Sequence, residues 1–104
     1  MKTNGTHNYY AYILTNAAKN VLYTGVTNSI ETRLAQHRAD AYGEKKTFAG
    51  KYNWVFLLYV ERFQYIQDAI AREKEIKSWS RAKKEVLITS VNPNWDFLNK
   101  ELDI

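Results

Sequence analysis

No cysteine occurs among these 104 residues. Disulfides, thiolate metal sites and thiol nucleophiles are thereby excluded, and zinc-finger chemistry with them. No uninterrupted apolar run approaches the ~20 residues that a membrane helix needs, and the N-terminus lacks the apolar core of a signal peptide. Repeats, low-complexity tracts and linker-like stretches are missing as well. What remains is the expectation of one soluble, cytoplasmic domain with a modest core, a monomer or weak homodimer. The chain carries 15 basic and 11 acidic residues, a formal net charge of +4. That excess permits an anionic partner without specifying one.

Met1 to Asn8 is polar and offers nothing to bury, which predicts a flexible tail ahead of a single domain over residues 9–104. Tyr9 to Thr15 and Val21 to Val26 are rich in aromatic and β-branched residues and read as strands. Asn16-Ala17-Ala18-Lys19-Asn20 reads as the turn between them, and the interval is too short for the crossover that parallel pairing requires. An antiparallel hairpin follows. Asn28 or Ser29 can cap a helix over Ile30 to Ala39, with Glu31 in the first turn where negative charge is favoured. Asp40 to Asn53 is a polar loop. Trp54 to Glu61 is apolar almost throughout, which predicts a strand buried on both faces in the middle of a three-stranded sheet. Ile66 to Trp79 and Arg81 to Ser90 read as helices, the second capped by Ser80 and interrupted at Asn92-Pro93. Trp95, Phe97 and Leu98 form an apolar patch expected to fold back on the core. The fold class is α+β, a three-stranded antiparallel sheet flanked by helices.

Function is sought where polar groups occupy faces that should be buried. Ile66, Ala69, Ile70 and Ile76 define the apolar stripe of their helix, and Glu73 lies inside it. A carboxylate there must be paired, hydrogen-bonded, metal-bound or neutralised. An internal salt bridge is one reading. The other is a carboxylate held toward a cleft to bind magnesium, which often takes only one or two protein carboxylates and completes its shell with water and phosphate. Glu75 falls outside the stripe and reads as solvated. Arg33 and His37 are four apart and share a helix face beside Ile30 and Leu34. An arginine clamps phosphate but makes a poor base, whereas a histidine can move a proton near neutral pH. On the hairpin, Tyr10, Tyr12 and Leu14 share one side, and Tyr23 shares a side with Val21 and Gly25. Tyr9 and Tyr59 are read as core fillers, and Gly25 as a place of close approach or a strand end.

The ordered set Tyr10-Ala11-Tyr12, Tyr23-Thr24-Gly25, Arg33 with His37, and Ala71-Arg72-Glu73 resembles the GIY-YIG nuclease superfamily. The runs Glu73 to Trp79 and Asn92-Pro93-Asn94-Trp95 resemble its small stand-alone bacterial branch, so the likeness spans Tyr10 through Trp95. It departs from the family name at Tyr10, Ala11 and Thr24, where glycine and two isoleucines are usual. The resemblance implies an endonuclease that hydrolyses a DNA phosphodiester with one divalent cation, Mg2+ or Mn2+. Carried onto this chain, Glu73 holds the metal and Arg33 neutralises the scissile phosphate. Tyr23 positions or deprotonates the attacking water, Tyr12 supports that water or the phosphate, and His37 assists proton transfer. Asn92 and Gly25 are candidates for support. A free phenol titrates near ~10, so a tyrosine base needs local help. Lys45, Lys46, Lys51, Arg81, Lys83 and Lys84 are expected to contact the backbone of DNA, structured or branched DNA included, with little choice of sequence. Two other classes stand beside the nuclease: a nucleic-acid-binding domain that does not cut, and an interaction module with a structural Glu73–Arg pair.

Overall fold

Asn16 closes the first reversal of the chain with its own side chain. Its Nδ2 donates to Asn20 Oδ1 at 2.7 Å, and its Oδ1 accepts from the Asn20 N–H at 3.0 Å. The turn joins β1 (Tyr9–Thr15) to β2 (Leu22–Thr27) as the expected antiparallel hairpin. The register sets Tyr12 opposite Gly25 and Leu14 opposite Tyr23. This computed structural model describes residues 8–42 and 56–99, with side chains described for 8–36 and 56–99. The expected tail therefore lies outside the described residues except for Asn8, as do Lys45, Lys46, Lys51 and the loop from residue 43 to 53.

After β2 come α1 (Ile30–Tyr42), β3 (Phe56–Phe63), α2 (Ile66–Lys77) and α3 (Arg81–Val91). Ser29, not Asn28, caps α1: its Oγ accepts from the Thr32 N–H at 3.3 Å. The helix continues to Tyr42, so residues 40–42 are helical where the polar composition suggested loop. Ser80 caps α3 as expected, accepting from the Lys83 N–H at 3.2 Å. No helix among the described residues is long and apolar enough to cross a membrane.

The sheet is three-stranded and antiparallel, in the order β2-β1-β3. β1 is therefore the middle strand, and β3, expected there, is an edge. The physical reason is that both faces of the sheet are covered. Leu57 packs with Tyr12, Leu14, Ile30 and Leu34 on the α1 side, whereas Leu58 and Tyr59 pack with Ile13, Ile76 and Ile88 on the side of α2 and α3. An edge strand buried from above and below reads like a central one. Its exposed edge is partly sealed, since the Leu57 N–H donates to Asn99 Oδ1 at 2.8 Å.

The tail of the chain folds back as its apolar residues require. Trp95 and Phe97 join the second cluster and Leu98 the first. Burying Ile76 completely contributes ~2 kcal/mol and fixes the rotation of α2 against the sheet. That rotation decides where Glu73, one turn earlier, must point.

Candidate functional site

Tyr12 lies at the centre of the group. It is 1% exposed, and its ring crosses the backbone of Gly25 on the neighbouring strand. A Cβ on Gly25 would overlap the Tyr12 hydroxyl and Cζ. The glycine is there because the phenol occupies the volume a side chain would need. Tyr23, two residues earlier on the same face of β2, sets its ring 6.4 Å from that of Tyr12, centroid to centroid.

The Tyr12 hydroxyl titrates above the ordinary phenol range. Burial is the main cause, Tyr23 and Glu73 push the same way, and Arg33 opposes them. These four side chains thus share one electrostatic neighbourhood, although they come from β1, β2, α1 and α2. The consequence for Tyr12 is chemical: at neutral pH it keeps its proton and acts as a hydrogen-bond donor, not as a base.

Arg33 is placed by the apolar residues on either side of it in α1, since Ile30 and Leu34 are both buried. Its Nε is buried with no hydrogen-bond partner among the described residues. Leaving such a donor unpaired costs ~1–3 kcal/mol. An anion entering the group would satisfy it. His37 lies one turn further along α1, and its side chain lies outside the described residues.

Glu73 faces inward as its place in the stripe requires, with a side chain only 13% exposed. Its Oε2 lies 2.6 Å from the Nζ of Lys77, which is 54% exposed. Among the described residues no arginine pairs with Glu73, so the expected structural Glu73–Arg pair is replaced by a Glu–Lys pair one helical turn apart. Such a pair with an exposed partner contributes at most ~1 kcal/mol. Lys77 is therefore exchangeable. The donors here are oxygens, which suits a hard cation such as Mg2+ or Mn2+ bound through a single carboxylate. Among the described residues no three or more His, Asp or Glu side chains gather into a cage.

Other expected residues have structural duties. Asn92 is buried, but its Nδ2 donates to Leu58 O at 3.0 Å and Asp96 O at 2.9 Å, and its Oδ1 accepts from Asp96 N–H at 3.0 Å. Both amide hydrogens and the side-chain oxygen clamp the 92–96 turn against β3, which explains why Trp95 can be held at φ 55°. Arg81 donates to the carbonyls of Asn20 at 2.8 Å and Lys19 at 3.1 Å, and to Glu85 at 2.8 Å. It fastens α3 to the hairpin turn. Lys83 sits 4.5 Å from the centroid of Trp79. Both residues, with Lys84, belong to the helix that covers the opposite side of the sheet from α1.

Sequence reasoning missed a second polar network. Tyr59, read as a core filler, donates to Glu61 Oε1 at 2.6 Å, and Arg72 donates to Glu61 at 3.0 Å and to Glu75 at 2.9 Å. The guanidinium also lies 5.3 Å from the centroid of Trp79. Burial and then the bond to Glu61 push the Tyr59 phenol up to about 12. An open depression lined by Phe63, Asp68, Ala71, Arg72 and Glu75 lies beside this network. The three-residue step from Arg72 to Glu75 was visible in the sequence; the reach across to β3 was not. Lys77 was also missed, though its four-residue step from Glu73 marks a helical ion pair.

The GIY-YIG catalytic domain matches residues 8–85 of this chain. The chain belongs to that family. It is 44% identical over 80 residues to a UPF0213 protein of Natronomonas pharaonis, covering 77% of this chain and 89% of that one. A UPF0213 protein of Staphylococcus haemolyticus is 38% identical over 80 residues, with 77% and 93% covered. The solution NMR structure of a UPF0213 protein from Bacillus halodurans superposes with a TM-score of 0.53 at 27% identity, covering 85% of this chain and 89% of that chain. The relatives include an archaeal as well as bacterial members, so the expected confinement to a bacterial branch does not hold.

Proposed function

We propose that this domain binds the phosphodiester backbone of DNA at the group formed by Tyr12, Tyr23, Arg33 and Glu73. One observation carries the reading: the Nε of Arg33, buried and without a partner among the described residues, in the shared neighbourhood of two phenols and a carboxylate. A phosphate oxygen would complete that donor with a charge-assisted bond. Tyr12, holding its proton, would donate to a second oxygen of the same group. The basic residues Lys83 and Lys84, and those of the 45–51 segment, would add salt-dependent contacts without base readout.

Two outcomes are chemically open at such a group. Retention of DNA without cutting is favoured by the arrangement as it stands, because Glu73 is already neutralised by Lys77. Hydrolysis is favoured by membership of a catalytic domain family and by the set of residues gathered around Tyr12. In that case Glu73 would hold the divalent cation, which when bound supplies Lewis acidity toward the phosphodiester. Arg33 would neutralise charge developing on the phosphoryl oxygens, Tyr23 would orient or deprotonate the attacking water, and His37 would assist proton transfer.

The test is cleavage and retention of labelled single-stranded, duplex and branched DNA with Mn2+, Mg2+ or EDTA, beside folded Glu73→Ala and Arg33→Ala proteins. Cation-dependent cutting that both substitutions abolish supports hydrolysis. Binding that needs Arg33 but not Glu73, with no cutting by the parent, supports retention alone. DNA affinity indifferent to Arg33→Ala would overturn the site assignment itself.

A further inference from the structure

Lys77 has no part in the chemistry described so far, yet its ammonium occupies the place at Glu73 where a cation would sit. The pair is built into one helix, Oε2 to Nζ 2.6 Å, and requires no other element. Arg72, the other basic residue within one turn of Glu73 on the same helix to make ion pairs, turns instead to Glu61 and Glu75. Glu73 is mostly buried and Lys77 half exposed, so the lysine is the mobile partner. Its flexible four-carbon stem lets the ammonium swing to another anion in solvent reach.

We infer that Lys77 is a positioning residue that occupies Glu73 until nucleic acid arrives, so that a divalent cation is taken up together with the phosphate backbone and not ahead of it. The inference rests on the reading of Glu73 as the cation ligand at a phosphodiester site. An ammonium and a divalent cation compete for the same carboxylate oxygen, and the weakness of a half-exposed pair makes the exchange small in energy. Backbone phosphates offer Lys77 a replacement anion at the moment the cation is needed. DNA and cation then raise each other's affinity, as linkage demands.

The experiment is a Mn2+ titration of the full chain, followed by the paramagnetic signal of the free ion, without DNA and with a cleavage-resistant phosphorothioate duplex. Without DNA, Lys77→Met should bind Mn2+ about tenfold more tightly than the parent. Lys77→Arg should stay near the parent, because the pair survives. Lys74→Met, which removes a charge beside Glu73 but no ion pair, gives the general electrostatic baseline and should gain less than about threefold. Adding Glu73→Gln to Lys77→Met should abolish the gain. The duplex should tighten Mn2+ binding by the parent much more than by Lys77→Met. Melting curves in EDTA check that every variant folds. A Lys77→Met gain no larger than that of Lys74→Met, or one that survives Glu73→Gln, would overturn the inference. Failure of the underlying reading shows separately, in a duplex titration where the parent takes up no DNA.

Discussion

Two arginines in this domain sit beside carboxylates and phenols, and they are used in opposite ways. Arg72 is finished: its guanidinium bonds Glu61 and Glu75 and lies over Trp79, in a network that also holds the Tyr59 hydroxyl. Arg33 is unfinished, with Nε buried and unpartnered among the described residues while Glu73 is given to Lys77. A structural arginine is saturated by acceptors of its own chain. An arginine kept for an outside anion must be left short of one, and the fold carries the cost.

The sharpest way to break this comparison is to replace each arginine by methionine. Arg33→Met should lower affinity for duplex DNA by about 10- to 100-fold, read by fluorescence anisotropy at fixed salt, while urea denaturation shows stability unchanged or raised. Arg72→Met should do the reverse. It should lose about 1–2 kcal/mol, discounted for partial exposure of the network, with DNA affinity kept within about twofold. Equal effects of the two substitutions on both readouts would erase the distinction.

Gly25→Ala tests the wall of the unfinished site. The added methyl must displace the Tyr12 phenol, at about 1–3 kcal/mol by urea denaturation. Combining it with Tyr12→Leu should recover part of that loss; a fully additive double variant would contradict the overlap.

The phenols separate the two regions by pH. Tyr59 is raised to about 12 in the folded chain, above the ~10 of an unfolded tyrosine. Its proton is held more tightly when folded, so its contribution is complete below about pH 10 and is lost as pH climbs from there toward about 12. Tyr12 shifts in the same direction, chiefly through burial. Urea midpoints should fall across that interval, and the fall should be shallower in Tyr59→Phe than in the parent. A parallel curve for Tyr59→Phe would mean that the Tyr59 phenol is not held above its unfolded range and does not cause the fall.

The smallest effect concerns the other buried side-chain polar atom without a hydrogen-bond partner among the described residues, Thr24 Oγ1 on β2. If this hydroxyl is merely tolerated, Thr24→Val should raise stability by about 1 kcal/mol and leave DNA affinity unchanged. Loss of DNA affinity in that variant would place Thr24 alongside Arg33.

Much of this architecture was legible because it is local. The hairpin, the Ser80 cap and the inward position of Glu73 follow from turn residues, capping chemistry and helical periodicity. Residues whose environment is made by distant chain were read less well. β3 looked central because its apolar run cannot say whether neighbours come from strands or from covering helices. Asn92 looked like site support because a buried asparagine has the same identity whether it meets substrate or, as here, the carbonyls of Leu58 and Asp96. Tyr59 looked like filler because Arg72, which reaches across from α2 to hold its strand neighbour Glu61, lies on a different element. The grouping of Tyr12, Tyr23, Arg33 and Glu73 was suggested only by the family resemblance, since their separations along the chain impose no contact.

The most direct measurement follows the arginine Nε–H resonances by 15N NMR while a short DNA duplex is added to the full chain. The account predicts that the Arg33 Nε–H shifts on saturation as it gains a phosphate partner, whereas that of Arg72, already bonded to Glu61, stays in place. An Arg33 signal that does not move while DNA binds elsewhere would contradict it.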